Sequence, residues 1–301
     1  MKHRFIFYSI FLASLNVAFN CIATTSPFIS GNGFKSLAQH CLDETTPALF
    51  DPQLVKANDI IFVKTELVSI FFSKLHPAIK NRYILITHNS DHSPVFSTTQ
   101  NQLQREHDLR AYLDDSQLIA WFSQNIDYAH PKLHPIPIGI ANSGWRHGNV
   151  AMFFKATEQP PDLGSRIPKL YLNFTIHTNV LERSAALHHC KGKPFSYSAT
   201  SKAPELYLKE LKQYRYVLCP AGNGLDCHRT WEALLMGCIP VMKHSFLDPM
   251  FEDLPVIFVN EWQEINQRFL DRKYEEIMNR TYRMEKVYGD YWYNLIKSYQ
   301  C

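Results

Sequence analysis

With 301 residues the chain has room for two domains of ordinary size, each with its own buried core. A composition of 46% hydrophobic and 20% charged residues, with Gly and Pro scattered, excludes a disordered chain. Lys+Arg 31 against Asp+Glu 28 gives a net charge of +3, and no basic run marks a nucleic-acid groove, so no nucleic-acid partner is expected.

Lys2, His3 and Arg4 precede an apolar stretch from Phe5 to Phe19 and small residues near Ala23 and Thr24. That is the order of a secretory signal over residues 1–24. Extended to Ala23, the same stretch has the alternative of staying uncleaved as an anchor, which would associate the protein with a membrane. Either outcome predicts a chain in the secretory pathway, exported or luminal.

Residues 25–156 then read as a first domain. Asp59 to Lys64 and Tyr83 to Thr87 are β-branched apolar runs on either side of a helix-like stretch, Glu66 to Leu75. Continuous apolar strands of this kind belong to parallel sheets covered on both faces. Leu118 to Phe122 and Leu133 to Ile140 supply further strands, with a helix expected over Gln102 to Leu113. The polar, Pro-containing stretch 157–168 (TEQPPDLGSRIP) predicts a linker. Beyond it, over 169–272, the alternation restarts. Strands are expected at Lys169 to Phe174, Tyr216 to Cys219, Ile239 to Met242 and Val256 to Val259, and helices at Leu181 to His189, Glu205 to Gln213 and His228 to Met236. A long aromatic helical tail, within 273–301, closes the chain and is expected to pack back on the first domain. The fold class is α/β: two Rossmann-like, doubly wound units with a cleft between them.

Seven cysteines are present, six of them after the signal-like segment, a number that permits disulfides without assigning them. No CxxC occurs, no zinc site is expected, and Cys219 and Cys238 read as small buried side chains.

The chemistry concentrates in Tyr216 to Val241, YVLCPAGNGLDCHRTWEALLMGCIPV. A strand enters a loop whose Gly222, Asn223 and Gly224 let backbone N–H groups approach an anion, and a helix begins just after it. Asp226 is expected to cap that helix and Gly237 to end it. At 100° per residue His228, Arg229 and Glu232 share one arc, with Trp231, Leu234 and Leu235 on another. This arc suits a nucleotide: Arg229 opposite a diphosphate, His228 donating a hydrogen bond to it, and Glu232 accepting from ribose hydroxyls. The alternative is an Arg–Glu surface pair with no ligand. Upstream, Asn173, Asn179 and Arg183 sit at a strand end and a helix start, and Arg183 is a second candidate for the diphosphate.

The order Cys219-Pro-Ala-Gly, Asp226-Cys-His-Arg, Trp231-Glu-Ala, Gly237-Cys-Ile-Pro-Val241, then Leu254-Pro-Val256 and Trp262, resembles the C-terminal domain of exostosin-type glycosyltransferases and the ribitol xylosyltransferase-like group. The resemblance implies a GT-B-like fold. It implies a glycosyltransferase, hexosyl- or pentosyl-, that moves a sugar from a nucleoside diphosphate donor to the hydroxyl of a glycan acceptor. It places Arg229 on the diphosphate and Glu232 on the ribose or sugar.

A transferase of this kind needs a general base from the first domain. Asp91 is the first choice and His88 the second, since both follow the strand Tyr83 to Ile86 at the carboxyl edge of the sheet. A turn built on its own hydrogen bonds is the alternative. The loop Ala141 to Asn149 offers Asn142, Trp145 and His147 to an acceptor, or serves as a hinge. No Asp-x-Asp occurs, so no metal and no cofactor are expected, and the leaving diphosphate would be met by Arg229, Arg183 and the helix N-terminus. The competing reading is an inactive carbohydrate-binding or host-interaction protein on the same fold.

Overall fold

The apolar runs become two wholly parallel sheets of five strands each in the computed structural model, which describes residues 26–46, 49–95, 108–158 and 161–301. The signal-like segment and the first part of the helix expected over Gln102 to Leu113 lie outside the described residues; Arg110–Leu113 is helical.

The first sheet contains β1 (His40–Leu42), β2 (Asp59–Lys64), β3 (Tyr83–His88), β4 (Leu118–Ser123) and β5 (Leu133–Pro135), side by side in chain order. All six residues of β3 are buried, as a central strand covered on both faces requires. The strand expected over Leu133 to Ile140 ends early. Pro135 and Pro137 have no N–H for a ladder, and only Ile136 N still reaches back, to Ser123 O at 2.9 Å.

The second sheet contains β6 (Ile167–Leu172), β7 (Ser196–Ser198), β8 (Tyr214–Leu218), β9 (Ile239–Lys243) and β10 (Ile257–Val259) in the order β10-β9-β8-β6-β7. Its order reverses between β6 and β8. The loops leaving the carboxyl ends of two such strands diverge and open a crevice, the place where α/β sheets bind ligands.

The stretch expected as a linker carries buried residues of its own. Leu163 is buried, and Arg166 donates to Pro161 O and to Cys238 Sγ. One buried apolar cluster runs from the first sheet through Trp231, Leu234, Phe251 and Trp292, so the two lobes share core rather than touching only at a hinge.

The tail is two helices, not the single one expected. Gln267–Met278 buries Leu270 and Ile277 against the second sheet, and the chain then leaves helical geometry at Asn279. Gly289–Lys297 returns to the first lobe, where Tyr293 meets Phe34 edge-on at 5.4 Å and Tyr299 meets Phe122 at 5.2 Å. Two α/β units across a cleft, closed by a returning terminal helix, make the GT-B-like arrangement. Among the described residues no helix is long and apolar enough to cross a membrane. The six described cysteines are unpaired, with Cys219 and Cys238 buried.

Candidate functional site

A cavity of about 510 Å³ opens where the second sheet reverses its order, within the ~300–1,000 Å³ range of small-ligand sites. Its floor is the segment after β8. There Gly222 N donates to Gly224 O at 3.0 Å, closing a tight turn before the helix His228–Leu235. Gly237 ends that helix at φ +69°, the left-handed conformation expected of it.

Arg183 projects from the helix Val180–Cys190 under this turn. Its Nε donates to Ala221 O at 2.9 Å and its Nη1 to Thr175 O at 2.8 Å. Arg229 comes from the following helix, and its Nε donates to Asn173 O at 2.8 Å. Both guanidiniums lie against one aromatic ring, that of Phe174, at 5.9 Å and 5.6 Å from its centroid. Two cations thus share one wall, fixed by backbone carbonyls and an aromatic face rather than by carboxylates. Burial, with the neighbouring Arg229 charge adding to it, lowers the affinity of Arg183 for its proton. An anion between the two would relieve that repulsion.

Glu232 also lines the cavity but is only 8% exposed, so it does not form the solvent-exposed pair with Arg229 weighed above. Burial raises its pKa and the Arg229 charge opposes the rise. The Tyr207 hydroxyl is buried, interacts with the Glu232 carboxylate and shares this corner of the cavity. A buried hydroxyl beside a carboxylate offers a polar ligand both a donor and an acceptor.

Asp226 is not the helix cap. The capping position is Cys227, whose side chain makes no capping bond. The Asp226 carboxylate turns inward instead and accepts from Ile138 N at 2.8 Å, Cys227 N at 2.9 Å and Trp231 Nε1 at 2.8 Å. A short carboxylate with an indole five residues on and a first-lobe amide within reach is better satisfied there than at the helix end.

His228 also departs from its expected role. Its Nδ1 lies 2.7 Å from Gly139 O, so that nitrogen carries the hydrogen, and the neutral ring has none left for a phosphate.

From the first lobe, Asp91 reaches the cavity mouth, where its Oδ2 accepts from Asn223 Nδ2 at 3.2 Å. His88 does not line the cavity. Its Nδ1 accepts from Asn89 N at 2.7 Å and its Nε2 donates to Pro137 O at 3.1 Å, while burial holds the imidazole down at about 4. Both ring nitrogens are occupied by backbone, which makes His88 a neutral bracket for the loop. Asn142 is likewise a bracket, accepting from Asn32 N and donating to Asn89 Oδ1. His147 lines the cavity with its ring 6.1 Å from that of His228, and Trp145, 66% exposed, stands 6.1 Å beyond His147, outside the lining. Asn179 caps its helix through Glu182 N and ties it to the glycine loop through Gly222 O, and it too stays out of the lining.

The structure therefore gathers Asp91, His147, Asn173, Arg183, Gly222, Asn223, Gly224, His228, Arg229 and Glu232, and leaves out His88, Asn142, Trp145 and Asn179. It adds Lys202, Tyr207 and Cys227 to the lining and Phe174 behind it. Lys202 follows β7, a three-residue strand in a polar stretch with too little apolar alternation to be read as one.

Residues 175–299 match the RXYLT1 C-terminal domain. The second half of the chain is thus similar to the C-terminal domain of a ribitol xylosyltransferase, a glycosyltransferase, and the match contains Arg183, the glycine loop, Arg229 and Glu232. Among solved structures, the crystal structure of the GtfA/B complex is 13% identical with a TM-score of 0.38. That alignment covers 82% of this chain, which spans 58% of the other's length. No curated protein matches the chain.

Proposed function

We propose that this chain is a glycosyltransferase that moves a sugar from a nucleoside diphosphate donor to a hydroxyl of a glycan acceptor. The observation that carries the reading is the pair of guanidiniums, Arg183 and Arg229, held on Phe174 beside the glycine turn at the point of strand reversal. Planar cations in that setting suit the two phosphates of a sugar nucleotide. The match over residues 175–299 supports the same reading.

In this reading the diphosphate lies against Arg229 and Arg183, and Glu232 and Tyr207 take hydroxyls of the ribose or the sugar. The acceptor enters from the first lobe past Asp91 and His147, with Trp145 at the rim as a surface on which sugar rings stack. The charge that develops on the leaving diphosphate is met by the two arginines without a metal, and the displacement inverts the anomeric centre.

Calorimetric titration of the folded chain with UDP, GDP and CDP tests the reading. Saturable binding of one of them, weakened at least tenfold by Arg229→Ala, is the expected result. A folded chain that binds none at millimolar concentration would sink it.

A further inference from the structure

His228 opens the helix behind the glycine turn and faces the cavity beneath the first-lobe loops. The carbonyl that holds its Nδ1 is fixed. Gly139 has φ +67°, and a Cβ there would stand 2.2 Å from Ile29 O, so only glycine fits and the carbonyl cannot swing away. A carbonyl only accepts, so the hydrogen stays on Nδ1 and the neutral ring keeps its lone pair on Nε2.

The charged and titratable groups around the ring divide by sign. Burial acts first and favours the neutral form, Arg229 on the same helix adds to that, and Asp91 across the cleft favours the protonated form. The His147 ring sits 6.1 Å away, and His88 is within electrostatic reach. The result is an imidazole that is neutral at rest, with a fixed tautomer and a carboxylate near enough to steady a positive charge once a proton arrives. Asp91 itself lacks such fixing: it is exposed at the cavity mouth, and its side chain accepts from Asn223 alone among the described residues.

Resting on the transferase reading, we infer that His228 Nε2, rather than Asp91, takes the proton from the acceptor hydroxyl. The acceptor oxygen forms its bond to the anomeric carbon as its proton passes to Nε2. The bond from that carbon to the diphosphate oxygen breaks, and the electron pair leaves with the nucleoside diphosphate toward Arg229 and Arg183. The imidazolium, held by Gly139 O and favoured by Asp91, then returns its proton to water.

The test uses the full chain with three substitutions. His228→Asn keeps an N–H for Gly139 O but has no basic nitrogen, so the anchor survives and the proton acceptor does not. His228→Gln serves as a second variant should the first fail to fold. Nucleotide release from UDP-, GDP- and CDP-sugars is followed against pH, beside binding of the bare nucleotides. The expected result is a fall in kcat of roughly a hundredfold or more for His228→Asn, the scale of a lost general base, with nucleotide affinity within a few fold of the parent. Asp91→Asn should keep the acidic limb of the pH profile but move it to lower pH, because the charge that favours the imidazolium is gone.

Nitrogen-15 spectra of the histidines, with His228 assigned by difference, should show an Nδ1–H tautomer at pH 7. An imidazolium at pH 7, an Nε2–H tautomer, or full turnover by His228→Asn overturns the inference while leaving the transferase reading intact. So does loss of the acidic limb in Asp91→Asn alone, which would make Asp91 the base. A wild-type chain that binds no nucleotide removes the transferase reading, and this inference with it.

Discussion

Gly222 has no room for a side chain. A Cβ there would stand 2.6 Å from Arg183 Nη2 and 3.3 Å from Cys227 Sγ, and Arg183 is not free to retreat because two backbone carbonyls hold it. Gly222→Ala should therefore displace the guanidinium from Phe174 while the fold, whose core lies elsewhere, survives. Nucleoside diphosphate affinity is expected to fall about tenfold, ~1.4 kcal/mol, with little change in the thermal transition. Calorimetry and thermal denaturation of the same preparation check both halves, and an unchanged affinity would mean that Arg183 does not touch the ligand. This residue-level arrangement was only partly legible in the sequence. Arg229 and Glu232 share an arc of one helix, and a helical wheel finds them without a structure. Phe174 is invisible to that method, since an aromatic residue beside a strand reads as core until two guanidiniums are seen on its ring. The inward turn of Asp226 was hidden for a similar reason. Its partners, Ile138 and Trp231, come from another lobe and another face of the helix.

At the scale of elements, strands with continuous apolar runs were legible in both halves, because burial on both faces leaves one unmistakable pattern. β1 and β7 were not: each has three residues with no apolar run to mark them, whereas β10, equally short, falls in the run Val256 to Val259. The tail was misread because its charge-laced, aromatic composition persists while the backbone breaks between Met278 and Gly289. That break lets one helix serve the second sheet and the next the first lobe. The Gly289–Lys297 helix depends on Trp292, which is 3% exposed, stands edge-on to Trp231 at 6.4 Å and donates from Nε1 to Lys286 O at 2.8 Å. Trp292→Ala removes a large buried side chain at the join of the lobes and should destabilise the chain by about 3–5 kcal/mol. Urea denaturation checks this. A loss under ~1 kcal/mol would place the returning helix outside the cooperative core.

The whole molecule is tied together at Asp226. Its carboxylate, 2% exposed, links Ile138 N of the first lobe to Trp231 and Cys227 of the second, and its own N–H donates to Asn125 Oδ1 at 2.8 Å. Asn125 in turn donates to Ser90 O, so a continuous polar stitch crosses the cleft floor directly below the cavity. Burial pushes the Asp226 carboxyl up to about 7, against the hydrogen bonds donated to it. Between its ordinary value near ~4 and about 7 the folded chain then holds a proton that the unfolded chain has lost, so this group's contribution to stability declines as pH rises through that window and levels off above it. His88 runs the other way. Its folded value of about 4 lies below its ordinary one, so its contribution is lost as pH falls from about 6.5 toward 4. The parent protein therefore shows only the sum, and the informative quantity is the difference between parent and Asp226→Asn, in which His88 cancels. Asn presents an NH₂ to at least one N–H that the carboxylate accepted, which should cost about 1–3 kcal/mol at pH 5. That cost should shrink as pH rises toward 8, because the parent then carries the buried charge. Urea midpoints of both proteins at pH 5, 6, 7 and 8 decide it. A difference that stays constant across the series would mean that Asp226 is ionised throughout, the three N–H groups that donate to it outweighing its burial, and that the stitch between the lobes does not respond to pH.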